Sequence, residues 1–231
     1  MEFSHHPDLW SAHPTLVAGV LSAQGIRADV DAGAAVARYE AAARERLAAL
    51  ESESDLPAIQ AWRRAFQRMG LKPTQYRCAS ESLLRRLRKE GVMPRIHPLI
   101  DVCNAISMAF AIPVAALDLD RIEGTLQVRP AAGNERYLTF GGDIERPEPG
   151  EVTFVDAAGN AHARRWTNRQ SGLSAVRPET ARVLVVAEAL HPGAAHEMPQ
   201  LVAAVAGVLQ ELWQAPDRTA ILSVDAPVFA P

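Results

Sequence analysis

Leu99-Ile100-Asp101-Val102-Cys103-Asn104-Ala105-Ile106-Ser107-Met108-Ala109-Phe110 runs directly into Ala111-Ile112-Pro113-Val114-Ala115-Ala116-Leu117-Asp118-Leu119-Asp120. The first twelve residues are apolar on nearly every side, interrupted only by Asp101, Asn104 and Ser107. That pattern predicts a buried helix whose polar side chains need partners. Pro113 blocks helical continuation, and beyond it the chain changes character. Short β-type runs follow at 114–117, 125–128, 137–140, 152–155, 161–166 and 183–186, separated by turn residues. Asp156-Ala157-Ala158-Gly159-Asn160, between two of them, reads as a hairpin turn.

Upstream, the apolar run 16–21, flanked by Pro14 and Gly25, predicts a buried strand. Residues 32–53, rich in Ala, Arg, Glu and Leu with no internal Pro, predict a long helix. A second helix starts after Pro57, aligns Ile59, Trp62, Ala65 and Phe66 on one face, and stops near Gly70. Ser80 reads as the N-cap of a helix over 81–90 that Gly91 closes. A last helix, about 198–213, precedes a strand at 220–224. Helices followed by mostly antiparallel strands predict an α+β (mixed α/β) fold, helices packed on sheet, forming a single domain over 1–231.

Composition narrows the function classes. Of the 231 residues 48% are hydrophobic and 22% charged, which argues against disorder and fibrous structure. No apolar stretch is long enough for a membrane span, and the first residues lack a basic region followed by an apolar one, so a cytoplasmic protein is expected. Cys78 and Cys103, without a Cys-x-x-Cys or a histidine cluster, read as reduced and semi-buried; neither metal nor cofactor is expected. The seven histidines are scattered, several beside proline, and read as surface or capping groups. Motifs for a serine nucleophile elbow, a phosphate-binding loop, a zinc protease and a dinucleotide fold are all absent from the sequence.

The net charge of −3 hides an asymmetry. Residues 61–95 carry ten basic side chains against Glu81 and Glu90, a local balance of +8. Such a segment is either a solvated helix face or a polyanion contact.

Several landmarks keep order and spacing through this chain: Asp101 and Asn104 on one helix, then Pro113, then Leu117-Asp118-Leu119-Asp120, then a strand ending in Val128-Arg129. Glu151-Val152, Arg165-Trp166-x-x-Arg169-Gln170-Ser171 and the run 180–186 continue the pattern downstream. Over about 61–190 the sequence resembles the editing domain of the bacterial phenylalanyl-tRNA synthetase β subunit, formed by its third and fourth modules. That domain hydrolyses tyrosine wrongly attached to the phenylalanine tRNA, without a nucleophilic side chain.

The resemblance implies a trans-acting aminoacyl-tRNA deacylase, with aminoacylated tRNA as partner rather than DNA or a membrane. An ester would sit in a pocket while a positioned water attacks, proton transfer being assisted by the terminal ribose hydroxyl. Asn104 matches the family asparagine, either orienting ester or water or stitching helix to sheet. Asp101 and Asp118 read as caps of backbone N–H groups. Arg165, Arg169 and Gln170 would clamp adenosine or amino acid with Trp166 stacking, or else form an exposed charged strand face. Glu188 falls within about two residues of the glutamate that reads the tyrosine hydroxyl. Arg85, Arg86, Arg88 and Lys89 would contact phosphates. Two departures stand out: Ala115 where the synthetases carry histidine, and Thr167-Asn168-Arg169-Gln170 in place of their Gly-Gly loop. A non-catalytic module binding tRNA or an amino acid is the alternative.

Overall fold

The computed structural model describes residues 1–230. The chain opens with strand β1 (Glu2–His5) and a short helix, α1 (Pro7–Ala12), then forms β2 (Val17–Gln24), α2 (Gly33–Ala48), α3 (Pro57–Arg68), α4 (Ala79–Glu90) and α5 (Pro98–Phe110). Strands β3 (Val114–Asp118), β4 (Thr125–Pro130), β5 (Tyr137–Leu138), β6 (Ile144–Glu145), β7 (Val152–Asp156), β8 (Ala161–Arg164), β9 (Arg169–Gln170) and β10 (Arg182–Ala189) follow. Helix α6 (Ala194–Leu212), β11 (Arg218–Leu222) and β12 (Val228–Phe229) close the fold.

Two sheets carry the architecture. One has the order β11-β2-β10-β3 and the other β12-β1-β4-β7-β8-β9, while β5 and β6 pair by themselves. Every ladder between named strands is antiparallel except β1 against β4. This is the α+β arrangement that the order of elements predicts.

Strand alternation sorts the core into two layers. Val183, Val185 and Ala187 of β10 join a cluster with Leu99, Val102 and Ile106 of α5 and Leu201 and Val205 of α6. Leu184 and Val186 turn the other way, into a cluster with Val128, Phe154 and Ala163 of the second sheet and Trp62 and Phe66 of α3. The central strands β2, β10 and β3 are therefore largely buried on both faces, which is why residues 16–21, leading into and through most of β2, read as an unbroken apolar run. Gly19 of β2 lets α6 approach closely: a Cβ there would lie 2.5 Å from Val202 Cγ2 and 2.7 Å from Met198 Sδ.

Several local expectations need correction. The cap of α4 is Cys78, and Ser80 sits inside the helix, buried, its hydroxyl donating to the Ala111 carbonyl at 3.1 Å. The helix expected to reach residue 53 ends at Ala48; Ser52 and Asp55 then form a capping box that starts a separate 3₁₀ turn at Glu53–Asp55. Pro199 lies within α6, which begins four residues before the expected start. The run 161–166 is strand only to Arg164, because Arg165 and Trp166 take left-handed φ values of 48° and 58°. The hairpin turn at Asp156 stands, with Asp156 Oδ1 accepting the backbone N–H groups of Ala158 and Asn160 and Gly159 at a φ of 79°. Asp101 and Asp118 also cap backbone, accepting from Ile96 and Asp120.

The histidines are not all surface groups. His6 and His97 do cap helices, but His5, His13, His162 and His191 are buried. His162 lies between Ser174 Oγ, 2.9 Å from Nδ1, and Asp156 Oδ2, 3.1 Å from Nε2. It ties the hairpin to the loop before β10.

Candidate functional site

Where the two sheets meet, β3, β8, β9 and β10 enclose a small pocket. Leu117, Phe154, Ala163 and Val186 give it mostly apolar walls. Gln170 closes one side by donating from Nε2 to the Ala116 carbonyl at 2.9 Å, a bond between the sheets, and its Oε1 keeps no protein partner among the described residues.

Glu188 lines this pocket and is 2% exposed. A carboxylate so placed needs hydrogen bonds to offset its desolvation. It has two, both on Oε1: Trp166 Nε1–H donates at 2.8 Å and His5 Nε2 at 2.6 Å. Among the described residues Oε2 has none. The second oxygen is the acceptor left for whatever enters.

The bend at Arg165 and Trp166 brings the indole inward. A non-glycine residue in the left-handed region costs on the order of 1 kcal/mol or more and persists only where its surroundings enforce it. Here the Arg165 N–H donates to Glu151 Oε1 at 3.0 Å and the Trp166 N–H to the Val152 carbonyl at 2.7 Å. Burial pushes the Glu151 carboxyl up, and the bond and charge of Arg164 more than reverse that, so Glu151 stays ionised below the usual carboxylate range. Trp166 itself is completely buried, edge-on to Trp62 at 4.9 Å and to His13 at 5.0 Å between ring centroids. It has no free face on which a base could stack; it serves as wall and as donor to Glu188.

The structure divides the other residues proposed from sequence. Arg169 lines the pocket, but its guanidinium is engaged by Glu145 at 3.0 and 3.1 Å and lies over Tyr137. Arg165 turns away and stacks on Tyr76, 4.7 Å from the ring centroid. Asn104 is not among the residues of the pocket wall. It lies on α5, which packs against the opposite face of the four-stranded sheet. Thr167 and Asn168 line the pocket as well, Asn168 anchored by donating to the Arg77 carbonyl at 2.7 Å.

On α4 the guanidiniums are matched by acids. Arg85 and Arg88 lie 3.4 Å from the buried carboxylate of Glu53, and Arg86 pairs with Glu90 at 2.9 Å. Arg63 grips the fully buried Glu81 through Nε and Nη2 at 3.0 and 2.7 Å, and Arg95 reaches Glu40. Glu40 and Glu53, from earlier in the chain, thus offset only two of the eight excess positive charges of 61–95, although most of the α4 guanidiniums individually have an acidic partner. Lys89 has no ion-pair partner among the described residues.

Residues missed from sequence are His5, at the back of Glu188, and His13, beside Trp166. Their ring contacts are set by β1 and α1, short elements without periodicity. Among the described residues no three His, Cys, Asp or Glu side chains group to hold a metal ion. Cys78 and Cys103 are free, and burial pushes both thiols up to about 12, which keeps them protonated and inert. No helix among the described residues is long and apolar enough to cross a membrane.

Comparison with known proteins agrees with the resemblance read from the sequence. Phenylalanine–tRNA ligase β subunits share short stretches with this chain. That of Fusobacterium nucleatum is 32% identical over 71 residues, 31% of this chain and 9% of the relative. That of Pseudoalteromonas translucida is 33% identical over 93 residues, 40% and 12%. That of Streptococcus pneumoniae is 41% identical over 58 residues, 25% and 7%. The matched stretch is about a tenth of these relatives' length. An N-terminal fragment of the phenylalanyl-tRNA synthetase β subunit from Pyrococcus horikoshii superimposes with a TM-score of 0.44 at 10% identity, over 96% of this chain and 52% of the fragment. The B3/4 domain matches residues 61–200, from the middle of α3 into α6 and more than half of the sequence, and the chain therefore belongs to the B3/4 domain family.

Proposed function

We propose that this chain hydrolyses the ester of a mischarged aminoacyl-tRNA, acting in trans. The observation that supports it best is the Glu188 carboxylate at a mostly apolar pocket, one oxygen bound by Trp166 and His5 and the other without a partner among the described residues. Apolar walls suit an amino-acid side chain, and a buried acceptor suits a hydroxyl on it. Such a site rejects the analogue lacking the hydroxyl strongly, by about 10⁴-fold where the acceptor would be left unpaired. Water would attack the ester carbonyl, the acyl carbon–oxygen bond would break, and the departing ribose oxygen would take the proton. Groups available to orient water are Thr167, Asn168 and Gln170 in the pocket wall. A cytoplasmic location and a tRNA partner go with this reading. The test is a panel of mischarged tRNAs, with release expected fastest for tyrosine on the phenylalanine tRNA. Release no faster than in buffer for every species would defeat it.

One observation favours a second reading, a module that binds tRNA or an amino acid without hydrolysis. Ala115 lines the pocket at the position where the synthetases carry histidine, and no other imidazole is in the wall. Binding of free tyrosine with no turnover of any ester would support it.

A further inference from the structure

Two guanidiniums of the basic segment stand apart from the paired set on α4. Arg64 and Arg68, four residues apart and so on one face of α3, are exposed and have neither ion pair nor hydrogen-bond partner among the described residues. Like charges at this spacing repel and slightly destabilise a helix. Both line a cleft of about 210 Å³, formed by α3, the turn after α1 and the segment after β10. No carboxylate is among the lining residues.

The cleft has a third polar group without a partner among the described residues. His13 lines it, is 7% exposed, and neither ring nitrogen has a hydrogen-bond partner among the described residues. Burial and then the charge of Arg68 lower the affinity of this imidazole for a proton, the effect expected where positive groups converge with nothing to balance them. The wall is fixed in place: Thr15 Oγ1 donates to the Leu190 carbonyl at 2.8 Å, tying the turn after α1 to the end of β10. Leu190 lies two residues beyond Glu188, and His13 packs edge-on against Trp166. One indole separates this cleft from the pocket.

We propose that the cleft lined by His13, Arg64 and Arg68 binds a phosphate group, supplied by single-stranded RNA whose end enters the adjacent pocket. Planar guanidiniums one helical turn apart, with an imidazole N–H between helix and turn, match the oxygens of a phosphate. That the phosphate belongs to RNA rests on the deacylase reading; the anion site itself does not.

The experiment titrates the full chain with two probes, inorganic phosphate and a short single-stranded oligoribonucleotide. It follows the His13 ring resonances, and RNA affinity against salt. Wild type should show His13 perturbed by both probes. Because the changed side chains are exposed, Arg64→Gln/Arg68→Gln should fold normally, lose that response, bind RNA about tenfold more weakly and lose about 0.7 units of slope in log K against log salt, the amount for one phosphate contact. An Arg85→Gln/Arg86→Gln control should keep both. An unperturbed His13, or a double variant with unchanged affinity and slope, overturns the site. Loss of RNA binding in the α4 control alone moves the contact there and also overturns it. Perturbation by inorganic phosphate but not by RNA overturns the assignment to RNA. If these binding results hold while no mischarged tRNA is hydrolysed, the deacylase reading fails and the phosphate cleft stands.

Discussion

Trp166 donates its indole N–H to Oε1 of Glu188 at 2.8 Å, across the space between two sheets, from a backbone that leaves strand geometry one residue earlier. His5 takes the same oxygen from the far side. The pair fixes the carboxylate so that its remaining oxygen is left for the pocket, and it couples the B3/4 region to the first strand of the chain, which lies outside the family match.

Glu188→Ala should leave the Trp166 N–H and His5 without their acceptor and cost about 3 kcal/mol, read as a lower urea midpoint at unchanged slope. Glu188→Gln keeps an acceptor of the same shape and should cost less. It should nevertheless erase the preference between ester substrates with and without a side-chain hydroxyl. A Gln variant that discriminates as wild type does would remove Glu188 from substrate recognition.

Asn104 and Gln170 make opposite predictions. Gln170 bridges the sheets in the pocket wall, whereas Asn104 lies on a helix across the four-stranded sheet. Gln170→Ala should slow deacylation by roughly 10²-fold. Asn104→Ala should change it by less than about threefold. If the Asn104 variant loses the larger factor in single-turnover measurements while the Gln170 variant does not, the reacting ester sits elsewhere.

What the sequence made legible follows the range over which its signals act. The unbroken apolar run of β2 and the nearly all-apolar α5 announce burial on their own, and the structure has both inside. Gly91 ends α4 in a left-handed cap as its type predicts. The failures are long-range. Ser80 looked like a cap because local chemistry prefers serine there, but its hydroxyl is used by Ala111, thirty-one residues away. The basic segment is partly compensated from outside, because Glu40 and Glu53 meet Arg95, Arg85 and Arg88, and its local sequence gives no sign of which guanidiniums are paired. The pocket's Glu188 was found through family resemblance; its partner His5, 183 residues distant, carries no local mark of that role.

Acid should weaken the fold through His13 and His97. Burial lowers the affinity of both for protons, with Arg68 adding to the effect at His13 and Asp101 opposing it at His97. Below about pH 6.5 the unfolded chain binds protons that the folded chain does not, so stability rises with pH there and falls on acidification. The urea midpoint should drop between pH 7 and 5.5, and His13→Gln should flatten that drop. An identical pH dependence in the variant would assign the loss to other groups.

The last prediction concerns the missing imidazole. Ala115 lines the pocket and no histidine is in its wall, so an imidazole general base has no place beside the ester. With Glu188 reading the amino-acid side chain, a hydrolase of this kind would pass the proton through water and a substrate hydroxyl. The ribose hydroxyl vicinal to the ester is the nearest such group on an aminoacylated tRNA end. Replacing it with hydrogen should suppress turnover by about 10²-fold while leaving RNA affinity within a factor of two, because contacts to the phosphates persist. Ala115→His, by contrast, introduces an imidazole with an ordinary value near 6.5 and should give the rate a pH dependence that wild type lacks in that range. Undiminished hydrolysis of the deoxy substrate would place the proton path on the protein, where Glu188 is the carboxylate in the pocket wall.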